Sequence, residues 1–281
     1  MLGLKVGMAA FGLSLMAAAP AFAQVLGAQE QPGSKHAEIA AAETNLNISV
    51  GFLHTNYSEG PPDSENGFTP GFTVGGSVLV PSAWSNIDLY SALSYQFSAG
   101  NLSYNGHYLV SGAPLNATDR AVFNHVEGRL GLGLPIAGGA VEAIPYLVGG
   151  YQSWNRNVST PGVPGTDEFY SAGMAGAGIK LDIPITATIV GSGSAEMMGI
   201  FGAHVDSNSL GIGFGMGNSA QERVSLGLDD ALFGPLHLQA SADVTHFNYA
   251  GSKPSDASFG LYEPTSTTTQ VGVNLGVSYS F

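Results

Sequence analysis

From Val271 to Phe281 the chain alternates without interruption. Val271, Val273, Leu275, Val277, Tyr279 and Phe281 share one parity, and Gly272, Asn274, Gly276, Ser278 and Ser280 share the other. Successive side chains of a strand face opposite sides, so this segment predicts a strand with one oily and one small-polar face. The same period of two recurs from Thr44 onward. It predicts strands over 45–56, 70–80, 87–98, 120–134, 141–154, 169–182, 185–198, 210–228, 236–249 and 269–281. The connections alternate in kind. Those at 57–69, 99–119, 155–168, 199–209 and 250–268 are long and polar. Those at 81–86, 135–140, 183–184 and 229–235 are short, and they carry Pro81, Pro135, Pro184 and Pro235. Proline donates no ladder hydrogen bond and suits such turns.

An apolar strand at a chain terminus is a hazard in water, because an unpaired edge recruits other chains. In a ring closed within lipid, the same strand has partners on both sides and hydrocarbon outside. The fold class predicted is therefore all-β: an up-and-down antiparallel transmembrane β-barrel of ten strands, with eight as the alternative. Segment 210–228 is too long for one regular strand and puts Glu222 on the face of Val224, Leu226 and Leu228. A bulge near Gly217-Asn218-Ser219 would repair it.

Parity also assigns the faces. Ile48, Val50, Phe72, Val74, Leu89, Leu130, Leu132, Ile179, Leu181, Leu238 and Val244 are expected toward lipid. Tyr57, Phe97, Trp154, Phe169, Phe247, Tyr249, Tyr279 and Phe281 lie near strand ends, where an interfacial girdle belongs. Segment 141–154 is apolar on both parities and has no evident orientation.

Composition agrees with a membrane barrel. Only 10% of residues are charged, against roughly 25% in soluble domains, yet 40 glycines interrupt the apolar content. After residue 23 no window holds the ~18 unbroken apolar residues of a spanning helix. The N-terminus reads as a cleaved signal peptide over 1–23: Lys5, an apolar run, then Pro20-Ala21-Phe22-Ala23 before Gln24. Residues 24–43 read as a flexible periplasmic lead-in, with a small lumen plug as the alternative, and 44–281 as the barrel. Cleavage leaves 7 basic against 21 acidic side chains, a formal charge of −14, so nucleic acid is not expected as a partner. There is no cysteine, hence no disulfide, thiol catalysis or thiolate metal site.

Residues 44–281 resemble the small outer-membrane β-barrels of Gram-negative bacteria, in the broad OmpA-like and porin-like group. The residues that carry the resemblance are Pro145-Tyr146-Leu147-Val148-Gly149-Gly150-Tyr151 and the terminal Gly276-Val277-Ser278-Tyr279-Ser280-Phe281. The resemblance implies the outer membrane as location, with both termini periplasmic. It implies lipid and lipopolysaccharide as surroundings, and an assembly signal at Tyr279 and Phe281 read by the barrel-assembly machinery. With nothing after Phe281, the peptidoglycan-binding domain of some relatives is not expected.

The inward parity holds the candidate chemistry: Asp88, His125, Glu127, Arg129, Lys180, Asp182, Glu196, Arg223, His237 and Asp243. Charges in a narrow lumen are costly unless paired. This cluster therefore predicts a lumen mostly closed by salt bridges, with a small pore as the alternative. At the loop end, His54, His204, Asp206 and His246 could assist hydrolysis. However, the order His204-Val205-Asp206 does not match that of the omptin proteases, and no third ligand completes a metal site there. Neither catalytic residues, a cofactor nor a metal is expected. Glu59, Asp63 and Glu65 read as a solvated loop. Loop 99–119, with Tyr104, Tyr108, Leu109 and Val110, is the candidate seat of an external ligand. The function expected is a structural or surface-binding role in the envelope. The alternatives are a narrow passive porin for small solutes and a rim hydrolase.

Overall fold

The computed structural model describes residues 34–60, 63–108, 111–161, 163–254 and 261–281. Among these residues one helix, α1 (Lys35–Glu43), precedes eleven strands. They are β1 (Asn45–Ser58), β2 (Ser64–Trp84), β3 (Ile87–His107), β4 (Pro114–Ile136), β5 (Val141–Thr160), β6 (Val163–Pro184), β7 (Ile189–Ser207), β8 (Ile212–Gly215), β9 (Ser219–Phe233), β10 (Leu236–Tyr249) and β11 (Ser266–Ser280).

Apart from β8 and β9, which do not pair with each other, consecutive strands pair antiparallel, and β1 pairs with β11 to close the ring. Segments β8 and β9 both pair with the same edge of β7, through Val205↔Phe214 and Met198↔Gln221, so together they form one wall position. The wall thus has ten positions. The break falls at Met216–Asn218, beside the bulge expected from sequence, and Met216 N–H donates to Ala203 O at 2.8 Å.

The outer surface is apolar in a band and polar above it. Ile48, Val50 and Phe52 of β1, Leu130, Leu132 and Leu134 of β4, Ile179, Leu181 and Ile183 of β6, Val224, Leu226 and Leu228 of β9, and Val273 and Leu275 of β11 all lie exposed. In water this wall would expose hydrocarbon all round; in a bilayer it is satisfied. Toward the loops the outward residues become Asn56 and Ser58, Asn101, Ser103 and Asn105, and Asn116, Thr118 and Arg120. The inward ones there are the buried Tyr57, Leu102, Tyr104 and Ala121. The polarity of the alternation reverses, so the barrel continues as a water-exposed tube with an apolar inside. Strands of up to 23 residues, where about 9–11 cross a bilayer, provide that extension.

Several sequence expectations are corrected. Most of 99–119 is hairpin, paired from Ala99↔Val122 to His107↔Pro114, because a closed ladder satisfies its own backbone whatever the solvent. The connection is only 108–113, and Leu109 and Val110 lie outside the described residues. Pro135 and Pro184 pair at strand ends opposite Glu142 and Val190 rather than forming turns. Tyr57, Trp154, Phe247 and Tyr249 are buried inside the tube and are not girdle residues.

Residues 24–33 lie outside the described set, but the second half of the expected lead-in is ordered. Ser34 caps α1, its hydroxyl accepting from Ala37 N–H at 3.0 Å. The helix buries Ile39 and Ala42 against the inward-facing Leu79, Tyr90, Ile144 and Val190. Thus α1 is a plug seated in the lumen at the end where β1 begins and β11 finishes. Its apolar face is only two residues wide, which is why the sequence shows so faint a helical stripe.

Candidate functional site

The lumen is filled in three layers, each built by the inward parity of several strands. The first surrounds α1. Lys180 of β6 ion-pairs with Glu43 of the helix and lies 3.3 Å from Asp182. His36 Nε2 lies 2.6 Å from Asp88 Oδ2 and 3.4 Å from Glu142 Oε2. Beside this layer, Asp229 accepts from Gln239 Nε2 at 2.9 Å and pairs with His237.

The second layer spans the barrel at mid-height as a square of alternating charges. Arg129 Nε donates to Glu127 Oε1 at 2.7 Å, and its terminal nitrogen lies 3.1 Å from Glu196 Oε2. Arg223 lies 2.8 Å from Glu127 Oε2 and 2.9 Å from Glu196 Oε1. His125 Nε2 sits 3.2 Å from Glu127, Tyr146 O–H donates to Glu196 at 3.0 Å, and Arg223 Nε donates to Thr245 at 3.1 Å. The strands that meet here, β4, β7 and β9, join acid and base across the lumen, where the ion pairs tie opposite walls. Between the first two layers lies a cavity of about 320 Å³, lined on one side by small polar residues such as Asn47, Ser49, Ser77 and Asn274.

The third layer occupies the tube above the lipid band. Phe123, Trp154, Tyr170 and Tyr249 stack in succession, with centroids 5.3, 5.4 and 5.8 Å apart, and Tyr57 meets Trp154 edge-on. Above them Arg156, buried on β5, donates from Nε to Glu65 at 2.5 Å and from a terminal nitrogen to Glu168 at 2.7 Å. Glu59 lies 3.9 Å from the same guanidinium. Tyr170 O–H donates to Glu263 at 2.5 Å, tying down the end of the last connection, just before β11. Burial and the nearby Glu59 push Glu263 up to about 7, and burial with the adjacent Glu65 pushes Asp119 up to about 8. Burial also raises Glu59, against the pull of Arg156.

The residues singled out from sequence therefore divide. His125, Glu127, Arg129, Glu196 and Arg223 come together in the middle layer, and Asp243 sits nearby, paired in register with Gly272 on the wall. Asp88, Lys180 and Asp182 belong to the layer around α1. Glu59 and Glu65, read as a solvated loop, instead meet Arg156, and Asp63 lies 3.2 Å from His107. Sequence reasoning missed His36, Glu43, Glu142, Arg156, Glu168 and Glu263. The ambiguous parity of β5 concealed Glu142, and Arg156 fell in a stretch read as a connection although β5 runs on to Thr160; a reversed alternation through 101–105 was the signal available for the third layer.

At the rim, His204 Nε2 lies 3.1 Å from Asp206 Oδ1. Both are about half-exposed on the outer face of β7, while Val205 between them is buried inward. His246 also faces outward, against Thr269. The pair thus points away from the mouth.

No protein-family profile matches the chain, and no curated protein matches it. Among solved structures it is similar to the outer membrane protease OmpT from Escherichia coli, with 10% identity and a TM-score of 0.50 over 85% of this chain and 97% of that one. It is also similar to the translocator domain of the autotransporter NalP from Neisseria meningitidis (14% identity, TM-score 0.43, 96% and 98% covered). A major outer membrane protein from Thermus thermophilus gives 13% identity and a TM-score of 0.41 over 84% and 99%. At these identities the likeness is one of fold and carries no activity with it. With a closed antiparallel wall, an apolar outer band and a polar interior, the chain has the fold of an outer-membrane β-barrel.

Proposed function

We propose that this barrel is a closed, non-catalytic protein of the outer membrane, with both termini periplasmic and a structural or surface-binding role in the envelope. Three stacked obstructions support this reading: α1 with its ion pairs, the Arg129–Glu127–Arg223–Glu196 square, and the aromatic stack under Arg156. The middle layer carries the most weight, because it ties opposite walls through pairs whose separation would strand charges. Lipid and lipopolysaccharide surround the apolar band, and Tyr279 and Phe281, both exposed, are available to the assembly machinery. The polar outer face of the β3–β4 extension, with Asn101, Ser103 and Asn116, is the surface offered to an external ligand.

The test is reconstitution into planar bilayers. Closure predicts insertions without discrete conductance steps; regular steps at neutral pH would overturn it. The second reading, a narrow passive porin, draws on the cavity of about 320 Å³ and requires α1, the charge square and the aromatic stack all to part. A hydrolase has less support, since His204 and Asp206 lie on the outer face of β7 and point away from the lumen.

A further inference from the structure

Above the lipid band the outer wall differs from one side of the ring to the other. Over β11 and β1 to β5 its outward side chains form register rows of carboxamides and hydroxyls. One row runs Thr267–Ser58–Ser64–Asn105–Asn116, and the next below runs Thr269–Asn56–Asn66–Ser103–Thr118–Ser159. Ser64, Thr269 and Ser159 are half-buried and the others exposed. Two residues nearer the lipid on β2, Phe68 is 65% exposed, its ring 4.5 Å from that of His54.

Two observations separate this face from ordinary surface hydration. The first is charge. The chain has 21 acidic side chains against 8 basic, yet among the described residues of this face Arg120, opposite Asn101, is the one permanent charge. The acids of the same strands, Glu65 and Asp119, turn inward and are fully buried. Solvation alone is served as well by carboxylates, and the rest of the ring uses them. The lower row continues from Thr269 through His246 to the exposed Glu222. On the other flank Asn157 pairs with Asp167 of β6, and β7 carries the outward Asp206. The second observation is this one-sidedness. The glycolipid of the surrounding leaflet meets every strand alike, so a face confined to six strands fits a discrete partner.

We propose that this face binds an external neutral oligosaccharide, an inference that rests on the surface-binding reading above and names its ligand class. Each carboxamide offers two donors and an acceptor, and each hydroxyl donates and accepts, which matches the mixed hydroxyls of a sugar. Paired strands lie about 4.8 Å apart and alternate residues about 7 Å, so the lower row spans roughly 24 Å. Such an open lattice suits a chain of sugar units laid across the strands, not a single ring in a cleft. At its lower edge Phe68 supplies an apolar ring face for the C–H side of a sugar. Anionic glycans are disfavoured, since the chain is acidic and the face sets Arg120 alone against them. Each hydrogen bond replaces one to water and gains little, so firm attachment requires many copies of the barrel on a polymer.

Phospholipid vesicles carrying many copies of the folded full chain are passed over immobilised dextran, mannan and galactan, with immobilised heparin and lipopolysaccharide alongside. At least one of the three neutral polymers is expected to retain them, and about 0.5 M salt should leave that retention unchanged, because no ion pair carries it. N66A/N105A/N116A and F68A should each lower retention about 10-fold or more, the equivalent of one or two lost contacts. H204A/D206N, on the opposite wall, should bind as the parent does. Retention by heparin alone or lipopolysaccharide alone overturns the neutral sugar and leaves surface binding standing; silence on every matrix removes both. Full retention of N66A/N105A/N116A also overturns the proposal. If heat-dependent gel mobility shows that this variant does not fold, full retention of N105A/N116A decides in its place. Conductance in planar bilayers reads the lumen, so the closure of the barrel stands or falls separately.

Discussion

Glu196→Gln gives the sharpest test of the mid-lumen square. The carboxylate of Glu196 is fully buried and receives Arg129 at 3.1 Å, Arg223 at 2.9 Å and Tyr146 O–H at 3.0 Å. Two guanidinium groups balance two carboxylates in this layer; the substitution leaves two cations on Glu127 alone. At an effective dielectric constant of about 20, each contact near 3 Å represents roughly 5–6 kcal/mol of gross attraction, much of it offset by desolvation. Removing one member of such a buried set costs about 3–5 kcal/mol net, because the opposite charge is left uncompensated. Adding Arg129→Met restores neutrality with the Glu127–Arg223 pair intact. The double variant should therefore lose less than the sum of the singles, with a coupling of about 0.5–3 kcal/mol. Reversible urea unfolding in lipid vesicles, followed by Trp fluorescence, reads both quantities. A loss under about 1 kcal/mol for Glu196→Gln, or strict additivity, would refute the claim that this square holds opposite walls together.

Other consequences are accessible to similar experiments. Leu275→Arg puts a cation on the lipid face between Val50 and Ala240 and should cost about 2–4 kcal/mol in bilayers; no change in unfolding midpoint would contradict the lipid-facing assignment. Trp154→Ala removes the centre of the aromatic stack and should destabilise the barrel by about 3–5 kcal/mol, read from the heat-dependent gel shift and denaturant midpoint. Glu263, held up to about 7 by burial and Glu59, keeps a proton between pH 4 and 7 that the released segment loses. The attachment of 261–265 is therefore strongest below about pH 4 and weakens as pH rises toward 7. Amide exchange there, corrected for its intrinsic pH dependence, should be slower at pH 5 than at pH 8; equal protection would count against it.

The barrel itself was legible in the chain because its physics is local. Alternation about a period of two, apolar on one parity in strand after strand, with long and short connections in turn, points to a closed wall in hydrocarbon. The interruption of one wall position falls close to where the sequence placed a bulge, but it does not turn Glu222 inward: Glu222 stays exposed on the face of Val224 and Leu226. Reading stopped where the solvent changed. Above the bilayer the same alternation serves water outside and packing inside, so Leu102 and Tyr104, inward between outward Asn101, Ser103 and Asn105, passed for loop.

The sequence by itself determined the wall, its period and the parity on which most of its lumen charges lie. Only the tertiary structure decided which of those charges meet, because partners such as Glu127 and Arg223 are 96 residues apart and join only when the ring closes. It likewise seated α1 in the lumen, through contacts spread over several strands, and brought His36 to Asp88 and Glu142. Alternation is a property of neighbours along the chain. Pairing across a lumen is a property of curvature, and the chain has no curvature until every strand has found both of its partners.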